Sequence, residues 1–161
     1  MKKQNESIEV QKEEQLKNYR PSIFIVAYRR IDNQILYVVL KRKKHWIGWE
    51  FPKGGIEKNE NLLKAVKREC FEETGQYPMR INSFNVSGKY KYPKQLKDRP
   101  GIAGQTYRLF SARIRSGEIK IDKKEHSGYK WMEFNEAIKN LTWPDQNKCL
   151  KIVNSYLIKN E

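Results

Sequence analysis

The segment from Gly54 to Gly75, GGIEKNENLLKAVKRECFEETG, constrains the chain more than any other stretch. It reads as a glycine turn followed by a helix on which Glu69, Glu72 and Glu73 stand at i, i+3 and i+4, so that their side chains reach one patch of space. Leu62, Leu63, Val66 and Cys70 recur beside them at helical spacing. The helix therefore buries one face against a core, and the carboxylates flank that face. Asn59 or Asn61 can cap its start. Thr74 and Gly75 supply its end, which bounds the helix to about four turns.

Three convergent carboxylates repel one another and raise one another's pKa, so a chain that builds such a cluster normally neutralises it with a cation. An all-oxygen donor set selects a hard ion. Mg2+ fits best, with Mn2+ as a substitute, because it takes a few carboxylates, keeps several waters and is completed by phosphate oxygens. The plain alternative is a solvated acidic helix face.

Read from Gly54, the segment resembles the Nudix hydrolase signature G-x5-E-x7-R-E-U-x-E-E-x-G-U. The matching positions are Gly54, Glu60, Arg68, Glu69, Cys70 as the apolar U, Glu72, Glu73 and Gly75. Gln76 departs from the last apolar place, which weakens a packing contact but removes no ligand. The resemblance implies a Nudix fold, an α+β arrangement in which a mixed β-sheet is sandwiched between helices. Pattern alone implies only a mixed α and β domain. The resemblance also implies hydrolysis of a nucleoside diphosphate linked to another group, with Glu69, Glu72 and Glu73 as metal ligands and Glu69 also a candidate base. The backbone carbonyl beside Gly54 would add an oxygen. Glu60 and Arg68 would sit behind the ligands, the arginine orienting carboxylates through a forked ion pair, and Glu57 would lie behind them or exposed.

At 161 residues the chain suits one domain, taken as 19–161 behind a charged extension over 1–18 that reads as a frayed helix, a disordered arm or an RNA-touching tail. No apolar run approaches a membrane span and no signal peptide is apparent, so a soluble, cytoplasmic protein is expected. Cys70 and Cys149 suit neither a disulfide framework nor a zinc site. A net charge of +14 attracts polyanions. The lysines are dispersed, so a solvated basic surface explains it as well as phosphate binding does.

Strands are expected over 22–28 and 35–40, joined at Asp32-Asn33, and over 46–51, which Pro52 stops. Further strands are expected near 81–90, 106–114 and 129–133. A helix over 135–139 and another beginning after Pro144, carrying Cys149, Leu150, Ile152, Val153, Tyr156 and Leu157, should end the domain.

Outside the signature, Tyr19-Arg20-Pro21, Tyr90-Lys91-Tyr92-Pro93-Lys94, Gly104-Gln105 and Glu125-His126-Ser127-Gly128-Tyr129-Lys130-Trp131 are similar to the asymmetric diadenosine tetraphosphate hydrolases and bacterial RNA 5′-pyrophosphohydrolases. That branch implies Glu125 as a fourth metal ligand or the general base; without the resemblance Glu125 reads as a surface charge. Phosphates would be met by Arg20, Lys53, Lys91 and Gln105. A base would stack on Tyr90, Tyr92 or Trp143, the last standing where the branch often keeps such an aromatic. Pro144 occupies the place of the branch's usual basic residue, which puts base or leaving-group contacts in doubt. His45 and His126 read as surface or loop residues, Trp49 and Trp131 as packing residues, and Trp46 is left between packing and the cleft.

The leading reading is cleavage of diadenosine tetraphosphate to ATP and AMP, followed by removal of pyrophosphate from 5′-triphosphate RNA. A diphosphoinositol polyphosphate phosphohydrolase and a catalytically silent Nudix-like RNA-binding domain are the remaining alternatives. The substrate is a small nucleoside oligophosphate or an RNA 5′ end, no membrane is involved, and the protein is a monomer or homodimer.

Overall fold

The computed structural model describes residues 18–160, so the charged extension lies, apart from Asn18, outside the described residues. The elements run β1 (Tyr19–Ile31), β2 (Gln34–Arg42), β3 (Gly48–Glu50), β4 (Lys53–Gly55), α1 (Leu62–Thr74), β5 (Arg80–Lys91), β6 (Gly104–Arg113), β7 (His126–Met132), α2 (Phe134–Asn140) and α3 (Pro144–Asn160). One mixed sheet has the order β3-β2-β1-β6-β5, with β4 on β1 and β7 on β2. β1 runs parallel to β6 over ten residues and antiparallel to β2 across the turn at Asp32, whose φ is 52°.

At β1 the sheet is covered on both faces, which explains why Ser22 to Tyr28 are buried without a break where a half-buried strand would alternate. Phe24, Val26 and Tyr28 join Leu150, Val153 and Leu157 of α3 in one core. Ile23, Ile25 and Ala27 join Ala65, Val66 and Cys70 of α1 in the other. Each fully buried large side chain contributes roughly 1.5–3 kcal/mol. Cys70 and Cys149 are buried and free, one in each core. Among the described residues, no helix is long and apolar enough to cross a membrane.

α1 begins at Asn61, whose Oδ1 accepts from Lys64 N at 2.9 Å, while Asn59 takes a left-handed φ of 64° in the preceding loop. It ends at Gly75 with φ 75°, a conformation only glycine enters without strain. Gln76 replaces the lost apolar contact with polar ones, its Oε1 accepting from Arg115 N at 3.0 Å and its amide donating to Glu118 O at 3.4 Å.

Several boundaries differ from the sequence reading. The strand expected over 22–28 runs Tyr19–Ile31, because its pairing with β6 begins at Tyr19 and its hairpin with β2 continues to Ile31. The strand expected from Trp46 covers only Gly48–Glu50, because the Trp46 ring turns into the cleft beside Arg42 and Lys53. The glycine turn is partly a strand, since Lys53–Gly55 pairs with Ser22–Phe24. β7 starts at His126, three residues early, because its pairing with β2 extends past a bulge at Lys41/Arg42.

Candidate active site

β4 and α1 meet at Gly54. A Cβ at this position would fall 2.0 Å from Cδ of Glu69, so the carboxylate lies directly on the backbone of β4. Arg68 ties the neighbouring acids together. Its Nε and Nη2 donate to Glu60 at 2.7 and 2.8 Å, Nη1 donates to Glu69 at 2.6 Å and to Glu72 at 3.3 Å, and Nη2 also reaches Gly55 O at 2.8 Å. This fork holds the Glu60 carboxyl down at about 2. Glu57 is exposed and 3.8 Å from Arg68.

The convergence of Glu69, Glu72 and Glu73 is not uniform in depth. Glu69 and Glu73 are buried, whereas Glu72 is half exposed. Burial, rather than mutual repulsion, is the first cause of the shift in the Glu69 carboxyl, which is pushed up to about 7 despite Arg68. Glu73 is raised well above the usual range, by burial first and then by Glu50, Glu125 and Glu69. Its Oε2 is buried without a hydrogen-bond partner. Glu73, Glu125 and His126 each offer an atom within 4.8 Å of the others. An orphaned carboxylate oxygen among convergent carboxylates fits a divalent cation.

Behind this cluster lies a residue that the sequence reading passed over. Glu50 is fully buried; its Oε1 accepts from Arg42 Nη1 at 3.0 Å and is 3.0 Å from His126 Nε2, while Lys53 Nζ forms an ion pair with Oε2 at 3.3 Å. Burial raises its pKa, but Lys53, His126 and Arg42 outweigh that and hold it at about 2. His126 is therefore not a surface residue: it is completely buried, because Glu50 satisfies its Nε2, and its Nδ1 has no hydrogen-bond partner. Arg42 extends the network, standing 3.6 Å from the Glu125 carboxylate and 4.8 Å from the Trp46 ring. The backbone of Glu125 is fixed as well, its carbonyl accepting from Lys43 N at 3.0 Å and Lys44 N at 3.3 Å. His45, a loop residue as expected, donates from Nε2 to Asp98 Oδ1 at 2.9 Å.

Two cavities adjoin here. The first, about 250 Å³, is polar, and its walls include Arg20, Gly54, Arg68, Glu69, Glu72, Glu73, Arg99, Gln105 and Glu125. The second, about 180 Å³, is mostly apolar, and its walls include Phe24, Tyr90, Lys91, Tyr92, Trp143 and Asp145. Trp46 and Lys53 line both. Neither alone reaches the roughly 300–1,000 Å³ of a small-molecule pocket, and the two joined do.

The structure thus gathers the predicted side chains around one cleft but redistributes their tasks. Lys53 is buried at the junction, its Nζ 3.2 Å from Tyr90 OH and 4.5 Å from the Trp46 ring. Lys91 stands on the apolar cavity and not on the walls that Glu69, Glu72, Glu73 and Glu125 form. Tyr92 is buried, and its hydroxyl meets Gln105 Oε1 at 2.9 Å and Arg99 Nη1 at 2.7 Å, which makes it a strut beneath two polar wall residues. Trp143 is half-buried and meets Trp46 edge-on at 5.6 Å. Trp49 and Trp131 pack against the two cores, as expected. Glu50, Arg42 and Arg99 were missed. Only the adjacency of Glu50 to the glycine segment could have drawn notice.

A family model described as NUDIX domain matches residues 18–151. The chain is 29% identical over 151 residues to an RNA pyrophosphohydrolase of Histophilus somni, which covers 87% of this chain and 77% of the relative. An RNA pyrophosphohydrolase of Pasteurella multocida is 33% identical over 127 residues, 72% of this chain and 62% of the relative, so the match spans under two thirds of that protein. Among solved structures, an Ap4A hydrolase of C. elegans superposes with a TM-score of 0.66 at 21% identity, over 87% of this chain and 98% of the other. At that identity the likeness is one of fold.

Proposed function

This chain belongs to the NUDIX family, and on that premise we propose that its 19–161 domain is a magnesium-dependent hydrolase of the phosphoanhydride bonds of nucleoside 5′-oligophosphates. The observation that carries this reading is the junction of an acidic and an aromatic cavity at Trp46 and Lys53. A nucleotide has the same two halves. Its phosphates belong beside the carboxylates and their cation, and its base belongs against Trp46 and Trp143.

Glu69, Glu72 and Glu73 would hold the ion, with Glu125, the Gly54 carbonyl and His126 as further donors. The chemistry supplied by a bound Mg2+, or Mn2+ in its place, is a lowered pKa for coordinated water and neutralised phosphate charge. The protein's own residues do the rest. Arg68 fixes Glu69 and Glu60 in place. Arg20, Arg99 and Lys53 offer positive charge to the phosphates. A carboxylate, Glu69 or Glu125, takes the proton of the attacking water as its oxygen bonds to phosphorus and the anhydride oxygen leaves with the electron pair. A silent domain would have little use for Glu73, whose buried Oε2 has no hydrogen-bond partner and costs stability when the group is ionised.

The 5′-triphosphate end of RNA is the first substrate of this reading, because the sequence relatives named above are RNA pyrophosphohydrolases. Diadenosine tetraphosphate is the second, because an Ap4A hydrolase shares the fold. A side-by-side assay with Mg2+ of triphosphorylated RNA, diadenosine tetraphosphate, capped RNA and ADP-ribose tests it. A preference of about 100-fold, or about 2.7 kcal/mol, decides the substrate class. No turnover of any of these, or equal turnover by Glu73→Gln, would sink the reading.

A further inference from the structure

On the reading that RNA 5′ ends are substrates, we propose that the bare face of the sheet beside the cleft carries the single-stranded RNA that follows the 5′ end, with Lys89 and Arg108 as phosphate contacts. The register of β5 and β6 places Ser87 opposite Arg108, Lys89 opposite Thr106 and Lys91 opposite Gly104. Further along the same face, Phe110 and Ala112 are covered by α1 and its neighbours. α1 lies against β1 and β4, and among the described residues this end of β5 and β6 stays open: Ser87, Lys89, Lys91 and Arg108 are all exposed.

An aromatic ring lies in the same strip. Tyr19 is the parallel partner of Gly104 and lies over it, its Cε1 2.7 Å from where a Cβ on Gly104 would be. Lys89 Nζ stands 5.6 Å from the Tyr19 ring centre. Arg20 and Gln105, the next residues on the same two strands, project from the opposite face and line the acidic cavity, so a 5′ end leaving the cleft reaches the strip round the ends of β1 and β6 at Tyr19 and Gly104.

Charge selects the occupant. From Arg80 to Arg113 the chain has eight lysines and arginines and one acid, Asp98. That acid is engaged by His45 at 2.9 Å and Lys44 at 3.4 Å. A strip of cations, hydroxyls and one ring suits a polyanion with stackable bases. It lacks the exposed apolar side chains by which a membrane-surface element inserts.

The test uses the full chain, wild type and the K89E/R108E double variant, with Tm confirming that both fold. Binding of a 5′-hydroxyl single-stranded RNA, which has no anhydride to cleave, is followed against salt. The expected result is binding weakened roughly tenfold or more in the variant, with the log–log salt slope reduced by about 1.4, at about 0.7 for each phosphate contact. Hydrolysis of diadenosine tetraphosphate should stay unchanged. Equal binding by both proteins, no binding by the wild type, or capture of anionic vesicles in preference to RNA would overturn the inference. Turnover of triphosphorylated RNA is read separately, so failure of the substrate reading is distinguishable from failure of this face to bind RNA.

Discussion

The carboxylate of Glu69 occupies the space that any side chain on Gly54 would need, with Cδ 2.0 Å from the position of the absent Cβ. The helix can therefore lay an acid on the backbone of β4 only because position 54 is glycine. Gly54→Ala should shift Glu69 by about an ångström and lower kcat/KM by about 100-fold. Circular dichroism should remain that of the wild type. Unchanged kinetics would show that Glu69 is free to move without loss.

Arg68 reaches Glu60, Glu69, Glu72 and Gly55 O with one planar fork. Lysine keeps the charge but has no fork, so Arg68→Lys should weaken Mg2+ affinity or activity by about 10- to 100-fold. Titration of the protein with Mg2+, followed by activity and by thermal shift, checks this. Full activity in the lysine variant would reduce the arginine to a counter-charge.

The cation should change the pH dependence of stability in a defined direction. Glu69, with an ordinary carboxyl value of 4.5, is raised to about 7, and burial raises Glu73 well above its ordinary value. A raised carboxylate binds protons more tightly when folded, so its contribution is complete below about 4.5 and lost as pH climbs toward 7 and beyond. Each group changes stability by at most about 1.4 kcal/mol per pH unit in that window. Melting curves with and without Mg2+ should diverge as pH rises, the cation stabilising more at pH 8 than at pH 5. Parallel curves would contradict the assignment. Glu50 behaves oppositely: held at about 2, its contribution is present above 4.5 and lost in strong acid.

Breaking the Glu50 hub should destabilise the fold and not merely slow the reaction. Glu50→Ala leaves Arg42 and Lys53 buried without their shared partner, a loss of about 3–5 kcal/mol by analogy with other broken buried pairs. Urea denaturation measures it, and a change below about 1 kcal/mol would mean that water or rearrangement compensates the cations.

Trp143 forms an edge-on pair with Trp46 at the apolar cavity. If it carries the base, Trp143→Ala should raise KM by about 5- to 150-fold, the equivalent of about 1–3 kcal/mol of stacking, with a smaller effect on kcat. A loss of Tm with no change in KM would make it a packing residue.

Some of this could be read directly and some could not. α1, its asparagine start and its glycine end, and the apolar stripe through Val66 and Cys70 all follow from contacts within four residues, where helical geometry turns spacing into position. The strand cores followed for a similar reason, while their ends at Trp46 and His126 moved because pairing and cleft contacts outweigh local preference.

What the sequence determined by itself is the acidic helix, its glycine partner and hence the chemistry of the site. What only the tertiary structure decided is everything that approaches this helix from afar. Glu50 meets His126 across 76 positions, Lys53 meets Tyr90 across 37, and Tyr92 turns from base platform to strut by meeting Gln105 and Arg99. The physical reason is burial. A charge that looks ordinary in the chain becomes a hub or a shifted acid only once the sheet has removed its water and chosen its neighbours.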